Sequence, residues 1–94
     1  MGFFAFRHYW KRPVMGWRNL VLHTDEITCK SMVFASASEY PIDERSTDGF
    51  LCNHFGDATY TIHNITPFDG GVKVRIHVDY DIPLGVSIDY LVID

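Results

Sequence analysis

An alternation of apolar and polar side chains near the C-terminal end of the chain constrains the fold more than any other feature. It runs without interruption over residues 72–80, and its polar positions are Lys73, Arg75, His77 and Asp79. Successive side chains of a β-strand point to opposite faces, so a period of two residues predicts a strand with one buried face. The intervening apolar positions are mostly β-branched, which suits a pleated surface.

Two neighbouring segments share this period. Residues 58–63 and 86–93 alternate in the same way, and turn-forming residues at 66–71 and 81–85 separate them from the central segment. Short connections of this kind join antiparallel neighbours. The pattern therefore predicts a three-stranded antiparallel meander at the end of the chain.

The first half of the chain gives weaker strand signals and no sustained helical period. Residues 3–10, 19–23 and 31–38 are rich in β-forming side chains. With the meander, they predict an all-β fold, a small antiparallel β-sandwich of about six strands. The 94 residues suit a single domain over 1–94. Residues 1–18 are interpreted as a possible N-terminal arm.

Charge argues against several classes of partner. The formal net charge is −4, so no positive field favours nucleic acid. Four basic residues, with Trp10 and Trp17 between them, could stack on bases, but an arm packing on the body or on a neighbouring subunit is the favoured interpretation. These four are Arg7, Lys11, Arg12 and Arg18. No apolar run is long enough to span a membrane, and no signal peptide is expected.

Motifs for enzymes and metal sites are missing from the sequence. His77, Ser87 and Asp89 could be combined into a catalytic set, but nothing suggests an oxyanion hole, so a non-enzyme without cofactors is expected. A surface metal site from His63 and His77 is the weaker alternative, and no metal is expected. Two cysteines do not form a zinc signature. Cys29 and Cys52 are interpreted as free thiols, with a single bridge as the alternative.

The final strand turns apolar on its polar side. Leu91 and Ile93 share a face with Ser87 and Asp89, so that end of the sheet is expected to be covered, either by the aromatic N-terminal segment or by another subunit. The expected subunit interface consists of Phe3, Phe4, Phe6, Tyr9, Trp10, Leu91 and Ile93.

Residues 61–94 resemble the C-terminal half of H-type lectin domains, the small six-stranded β-sandwiches of snail agglutinins and slime-mould discoidins. Asn64-Ile65-Thr66-Pro67 matches the family's step at the end of a strand, and Gly70-Gly71 matches its glycine turn. Residues 72–78 match its alternating strand, and residues 86–93 match its last strand, with Tyr90 at the aromatic position. Residues 32–40 are similar to an earlier strand of the family.

The resemblance implies a trimeric sandwich that binds carbohydrate near the loop after the alternating strand. The family's sugar-contacting positions correspond here to Val78, Asp79 and Leu84. Tyr80 and Asp81 are close to these positions and could stack on and hydrogen-bond a sugar in their place. The expected ligand-binding residues are Arg75, Asp79, Tyr80 and Asp81.

Two functions are compatible with these expectations. The first is a lectin-like module that recognises a carbohydrate or a surface receptor as an oligomer. The second is a structural part of a bacteriophage virion, such as a capsid decoration or a tail component, that acts through contacts between subunits or with other virion proteins. The second rests on an analogy of fold.

Overall fold

Six β-strands form the described part of the molecule. The structure is a computed structural model that describes residues 2–40 and 56–94. In chain order the strands are β1 (Phe3–Tyr9), β2 (Gly16–His23), β3 (Met32–Glu39), β4 (Thr59–Phe68), β5 (Gly71–Asp79) and β6 (Val86–Ile93). Within these ranges no helix is long and apolar enough to cross a membrane.

The strands form two three-stranded antiparallel sheets. The first sheet has the order β1-β6-β3, and the second has the order β2-β5-β4. Each sheet has one apolar face, which it turns towards the other sheet. The prediction of a small antiparallel all-β sandwich of about six strands is therefore confirmed.

The predicted C-terminal meander is wrong. β4 and β5 do form an antiparallel hairpin, but β6 crosses to the first sheet and pairs with β1 and β3. In a meander the apolar faces of β5 and β6 would lie side by side on one sheet, and other strands would have to cover both. The crossing lets the two faces bury each other. Alternation identifies the inward face of a strand but not the sheet to which the strand belongs.

The core lies between the two central strands. β5 and β6 contribute its most deeply buried side chains, all at most 2% exposed: Val72, Val74, Ile76, Val78, Val86, Ile88, Tyr90 and Val92. Ile27, in the connection between β2 and β3, is fully buried beside them. The alternation in the sequence is thus the alternation between core and surface.

β4 is longer than the sequence predicts. Residues 66–68, expected in a turn, continue the strand, and only Asp69 and Gly70 form the turn. β4 is an edge strand, where the missing N–H of Pro67 need not cost a ladder hydrogen bond. Gly70 has a φ of 98°, a conformation that glycine adopts at little cost.

The N-terminal segment belongs to the body of the domain rather than to an arm. Residues 3–9 form β1, which pairs with β6 along its whole length. The backbone N–H of Asp94 also donates to the carbonyl oxygen of Gly2 at 2.9 Å. The aromatic residues of this segment therefore alternate between the core and the outer face.

Candidate functional site

The outer face of the second sheet combines exposed polar and aromatic side chains that could bind a ligand. We call it the open face. It is built from alternate residues of β2, β5 and β4, as the register between the strands requires. Its principal members are Trp17, Asn19, His63, Asn64, Thr66, Lys73, Arg75 and His77.

Three rings meet at one end of the open face. The indole of Trp17 lies 4.3 Å from the ring of His63 and 4.7 Å from the ring of His77, measured between centroids. A register shift between Ile62 and Asn64 interrupts the ladder at His63 and leaves its ring within reach of Trp17. Trp17 is nevertheless 60% exposed. The histidines therefore support a large aromatic surface that stays open to solvent.

Polar side chains lie beside the rings. Nε of Arg75 donates to Oδ1 of Asn19 at 3.0 Å across the β2–β5 pair. On β4, Oγ1 of Thr66 donates to Oδ1 of Asn64 at 2.9 Å. Each bond leaves further donors or acceptors on its partners available.

Two adjoining depressions cross this part of the open face. The larger, about 420 Å³, is lined by Trp17, Arg18, Asn19 and Arg75. The smaller, about 90 Å³, is lined by Asn19, Asn64, Thr66, Lys73 and Arg75. Asn19 and Arg75 belong to both, so the depressions form one surface. No described residue that lines it is acidic.

The predicted ligand-binding residues do not form one cluster. Arg75 lies in the middle of the open face, whereas Asp79 ends β5, four residues and roughly 13 Å further along the strand. Tyr80 and Asp81 follow in the connection to β6, where Tyr80 is 42% exposed. Of the four, only Arg75 lines the depressions described here.

Trp17 and Asn19 were not predicted as ligand-binding residues. The strand predicted from the sequence begins at Asn19, which leaves Trp17 outside it, among the basic residues of the first 18 positions. The signal was present in the sequence, because extending the period of two back from Leu22 and Leu20 puts Trp17 and Asn19 on the outward side. Only the pairing of β2 with β5 brings them beside Arg75.

His77 and Asp89 lie in different sheets, so the hypothetical catalytic combination is not assembled. Asp89 instead accepts two hydrogen bonds from Arg7, at 2.5 Å from Nε and 3.0 Å from Nη2. These bonds lower the pKa of the Asp89 carboxyl. The pair links β1 to β6 on the outer face of the first sheet.

Neither a metal site nor a reactive thiol is found among the described residues of the open face. No group of three or more potential metal-ligating side chains occurs among residues 2–40 and 56–94. Cys29 is exposed, and its backbone N–H donates to Oδ1 of Asp69 at 2.9 Å. Cys52 lies outside the described residues, so the alternative of a Cys29–Cys52 bridge stays a prediction.

The expected interface residues divide between two faces. Phe4, Phe6 and Trp10 pack against the core instead, because successive residues of β1 face opposite sides. The ring of Phe6 stacks on that of Tyr90 with 5.0 Å between centroids. Tyr9 shares the outer face of β1 with Phe3, and its ring contacts that of Tyr40 edge to face at 5.1 Å.

The remaining interface residues form an apolar surface at one end of the first sheet, which we call the apolar outer end. Two cross-strand rows make it up: Phe3, Ile93 and Met32, followed by Ala5, Leu91 and Phe34. Phe3 is 79% exposed, Phe34 56% and Met32 52%. The sequence predicted Phe3, Leu91 and Ile93 here and missed the β3 residues.

No protein-family model, curated protein or solved structure matches the chain. The likeness to H-type lectins stays a prediction that rests on the residues quoted for it.

Proposed function

We propose that the protein is a non-enzymatic binding module that recognises carbohydrate through the open face. The observation that carries the proposal is the exposed indole of Trp17, supported by two histidine rings and bordered by the Asn19–Arg75 pair. The ligand expected here is a pyranose ring at or near the end of a glycan chain.

The chemistry of a sugar matches this surface. One side of a pyranose presents C–H groups, and the face of an aromatic ring carries partial negative charge that attracts them. The rim of a pyranose presents hydroxyl groups, for which amide and guanidinium side chains are suitable partners. Trp17 supplies the ring, and Asn19, Asn64 and Arg75 supply polar groups beside it. Because Trp17 rests on other rings, little side-chain entropy is lost on binding.

Replacing Trp17 by alanine is expected to weaken glycan binding by about fivefold to a hundredfold, taking as the scale the roughly 1–3 kcal/mol that a nucleobase gains by stacking on an aromatic side chain. The measurement is a glycan array with the protein displayed multivalently, followed by calorimetric titration of the best ligand. Trp17→Phe, which keeps a smaller ring, is expected to retain part of the affinity. Unfolding by denaturant checks that both variants stay folded.

A second aromatic variant shows whether the glycan binds at the open face or at the connection after β5. Tyr80→Ala is expected to bind glycans as the unmodified protein does. If Tyr80→Ala loses binding and Trp17→Ala keeps it, the ligand lies at the connection and the proposal for the open face is wrong. The proposal would also be overturned if no glycan on the array bound the protein, or if the protein bound a single-stranded oligonucleotide in preference to glycans.

The apolar outer end favours a second candidate function, assembly through contacts between subunits. Its six side chains expose on the order of 500 Å² of apolar surface, about as much as the largest patch of a typical monomer. We propose that a second copy of this chain covers it. The neighbouring row, in which the side chains of Arg7 and Asp89 are 40% and 43% exposed, extends this surface towards the roughly 800 Å² that each partner of a stable interface buries.

Charge supports a second copy as the partner. The charged side chains on the outward positions of β1, β6 and β3 are Arg7 and Asp89, which neutralise each other. A chain with a net charge of −4 can therefore approach its own copy through this face without like-charge repulsion across it. A trimer, as the lectin resemblance implies, would use the same surface.

Phe34→Glu is expected to convert the assembly into monomers, because it puts an unpaired charge into the apolar contact. Ile82→Glu is a matched control, since Ile82 is 54% exposed in the β5–β6 connection and lies outside the apolar outer end. Sedimentation velocity over a wide range of protein concentration measures the mass. A monomeric wild-type protein at the highest concentration, or an Ile82→Glu variant that also dissociates, would contradict the proposed interface.

A further inference from the structure

A groove between the end of β1 and the beginning of β2 is distinct from the open face. Its volume is about 500 Å³, and Val14 and Leu20, both largely buried, contribute apolar lining. β1 and β2 belong to different sheets and do not pair, so the sandwich is open between them. The β1–β2 connection lines the opening.

The charged side chains that line this groove are all basic. Lys11 and Arg12 come from the β1–β2 connection, and Arg18 comes from β2. None of the three forms an ion pair with a described residue. The first 24 residues contain no Asp or Glu, although the whole chain has a net charge of −4. The groove therefore concentrates positive charge that the described part of the protein does not neutralise.

Trp10 and His8 also line the groove. The ring of Trp10 lines it, and its Nε1–H is buried without an acceptor among the described residues. His8 packs edge to face on Trp10 with 4.8 Å between centroids. Burial, and secondarily the charge of Lys11, lower the pKa of His8. Basic side chains gathered in one groove can hold a carboxylate or a sulfate.

The groove and the open face share residues. Arg18 and Asn19 line both the groove and the larger depression beside Trp17, so the two surfaces meet at edge strand β2. We infer that the groove binds the carboxylate or sulfate of an acidic saccharide whose neighbouring ring stacks on Trp17. This inference rests on the proposed function, since it names the class of saccharide that the open face selects.

Matched pairs of ligands test this selectivity. The probes are a neutral oligosaccharide, the same oligosaccharide with one hexose replaced by the corresponding hexuronic acid, and a sulfated form. At low salt the acidic members are expected to bind about tenfold more tightly than the neutral one. Because the added interaction is between charges at the surface, the advantage is expected to shrink as the salt concentration rises.

The variant Lys11→Gln/Arg12→Gln is expected to lose most of the preference while it keeps the affinity for the neutral probe. Lys30→Gln, which removes an exposed charge in the β2–β3 connection, is the control and is expected to keep the preference. Equal affinities of the wild-type protein for neutral and acidic probes, within about twofold, would overturn the inference. So would a double variant that keeps the full preference.

The two tryptophans separate a failure of the inference from a failure of the proposed function. Trp17→Phe leaves Trp10 as the only tryptophan, so its fluorescence reports on the groove. Inorganic sulfate is expected to change that fluorescence, and the Lys11→Gln/Arg12→Gln substitutions are expected to suppress the change. A sulfate response without any saccharide binding would overturn the proposed function and support the anion site. Saccharide binding without a sulfate response or an acidic preference would overturn the anion site alone.

Discussion

Replacing Ile76 by alanine is expected to lower the free energy of unfolding by about 2–5 kcal/mol, the range observed for large-to-small changes in protein cores. Ile76 is fully buried at the middle of β5, the central strand of the second sheet. It lies opposite Arg18 on β2 and Ile62 on β4. With backbone partners on both sides, the strand is held in place, so the cavity left by the substitution cannot collapse easily.

The size of this effect can be compared with the whole stability of the domain. A chain of 94 residues is expected to have a free energy of unfolding of roughly 5–14 kcal/mol. Denaturant titration gives the midpoint and the slope, and the slope should stay unchanged if only the core packing is altered. Ile82→Ala, at an exposed position, is the matched control with an expected change within about 0.5 kcal/mol. Equal effects of the two variants would contradict the assignment of Ile76 to the core.

Gly71→Ala is the second change with a large expected effect. A Cβ atom at position 71 would lie 2.2 Å from the carbonyl oxygen of Leu22 and 2.8 Å from Cζ of Phe68. The first contact is with backbone, so β2 or β5 has to shift at the end of their ladder. Overpacking of this kind typically costs about 1–3 kcal/mol of stability. Because the clash is with paired backbone, Gly71→Ala is expected to lower the free energy of unfolding by about 3 kcal/mol, the upper end of this range.

The neighbouring glycine is the control for this variant. Gly70 has positive φ, but a Cβ atom there would meet nothing within 4 Å. Gly70→Ala therefore introduces only backbone strain, and it is expected to lower the free energy of unfolding by about 1 kcal/mol. Hydrogen exchange at β2 separates the mechanisms, because only Gly71→Ala should expose the amides near Leu22. A Gly70→Ala variant less stable than Gly71→Ala would show that turn strain, not strand approach, dominates at this hairpin.

The sequence predicts which side of each strand is buried better than it predicts which strands are neighbours. The alternation over residues 72–79 correctly separates the core residues, such as Ile76, from the outward residues, such as Arg75, whereas Tyr80, its last apolar position, lies beyond β5 and is exposed. The same period correctly turns Ile88 and Tyr90 inward. Pairing depends on how two apolar faces cover each other, which a local pattern does not contain. For that reason the sequence pattern places β6 in the wrong sheet.

The same limit applies to the two surfaces. Leu91 and Ile93 indicated an apolar outer end, but Met32 and Phe34 join it only because β3 pairs with β6. Arg75 was predicted from β5 alone, whereas its partner Asn19 lies 56 positions earlier in the chain. A ligand site assembled from three strands is visible in the sequence only as separate outward positions. The pairing of β5 with β2 and with β4 brings these positions together.

The crossing of β6 has a consequence for the order in which the molecule can form. β6 is the last of the six strands to be synthesised, yet it is the central strand of the first sheet. Until it has been made, β1 and β3 have no partner strand in that sheet, and the aromatic side chains of Phe3 and Phe34 lie on chain segments without one. Pairing between the first and last strands is a non-local contact, and domains dominated by such contacts fold slowly, over milliseconds to seconds. During translation, β1 and β3 therefore have to wait for β6 before their sheet can close.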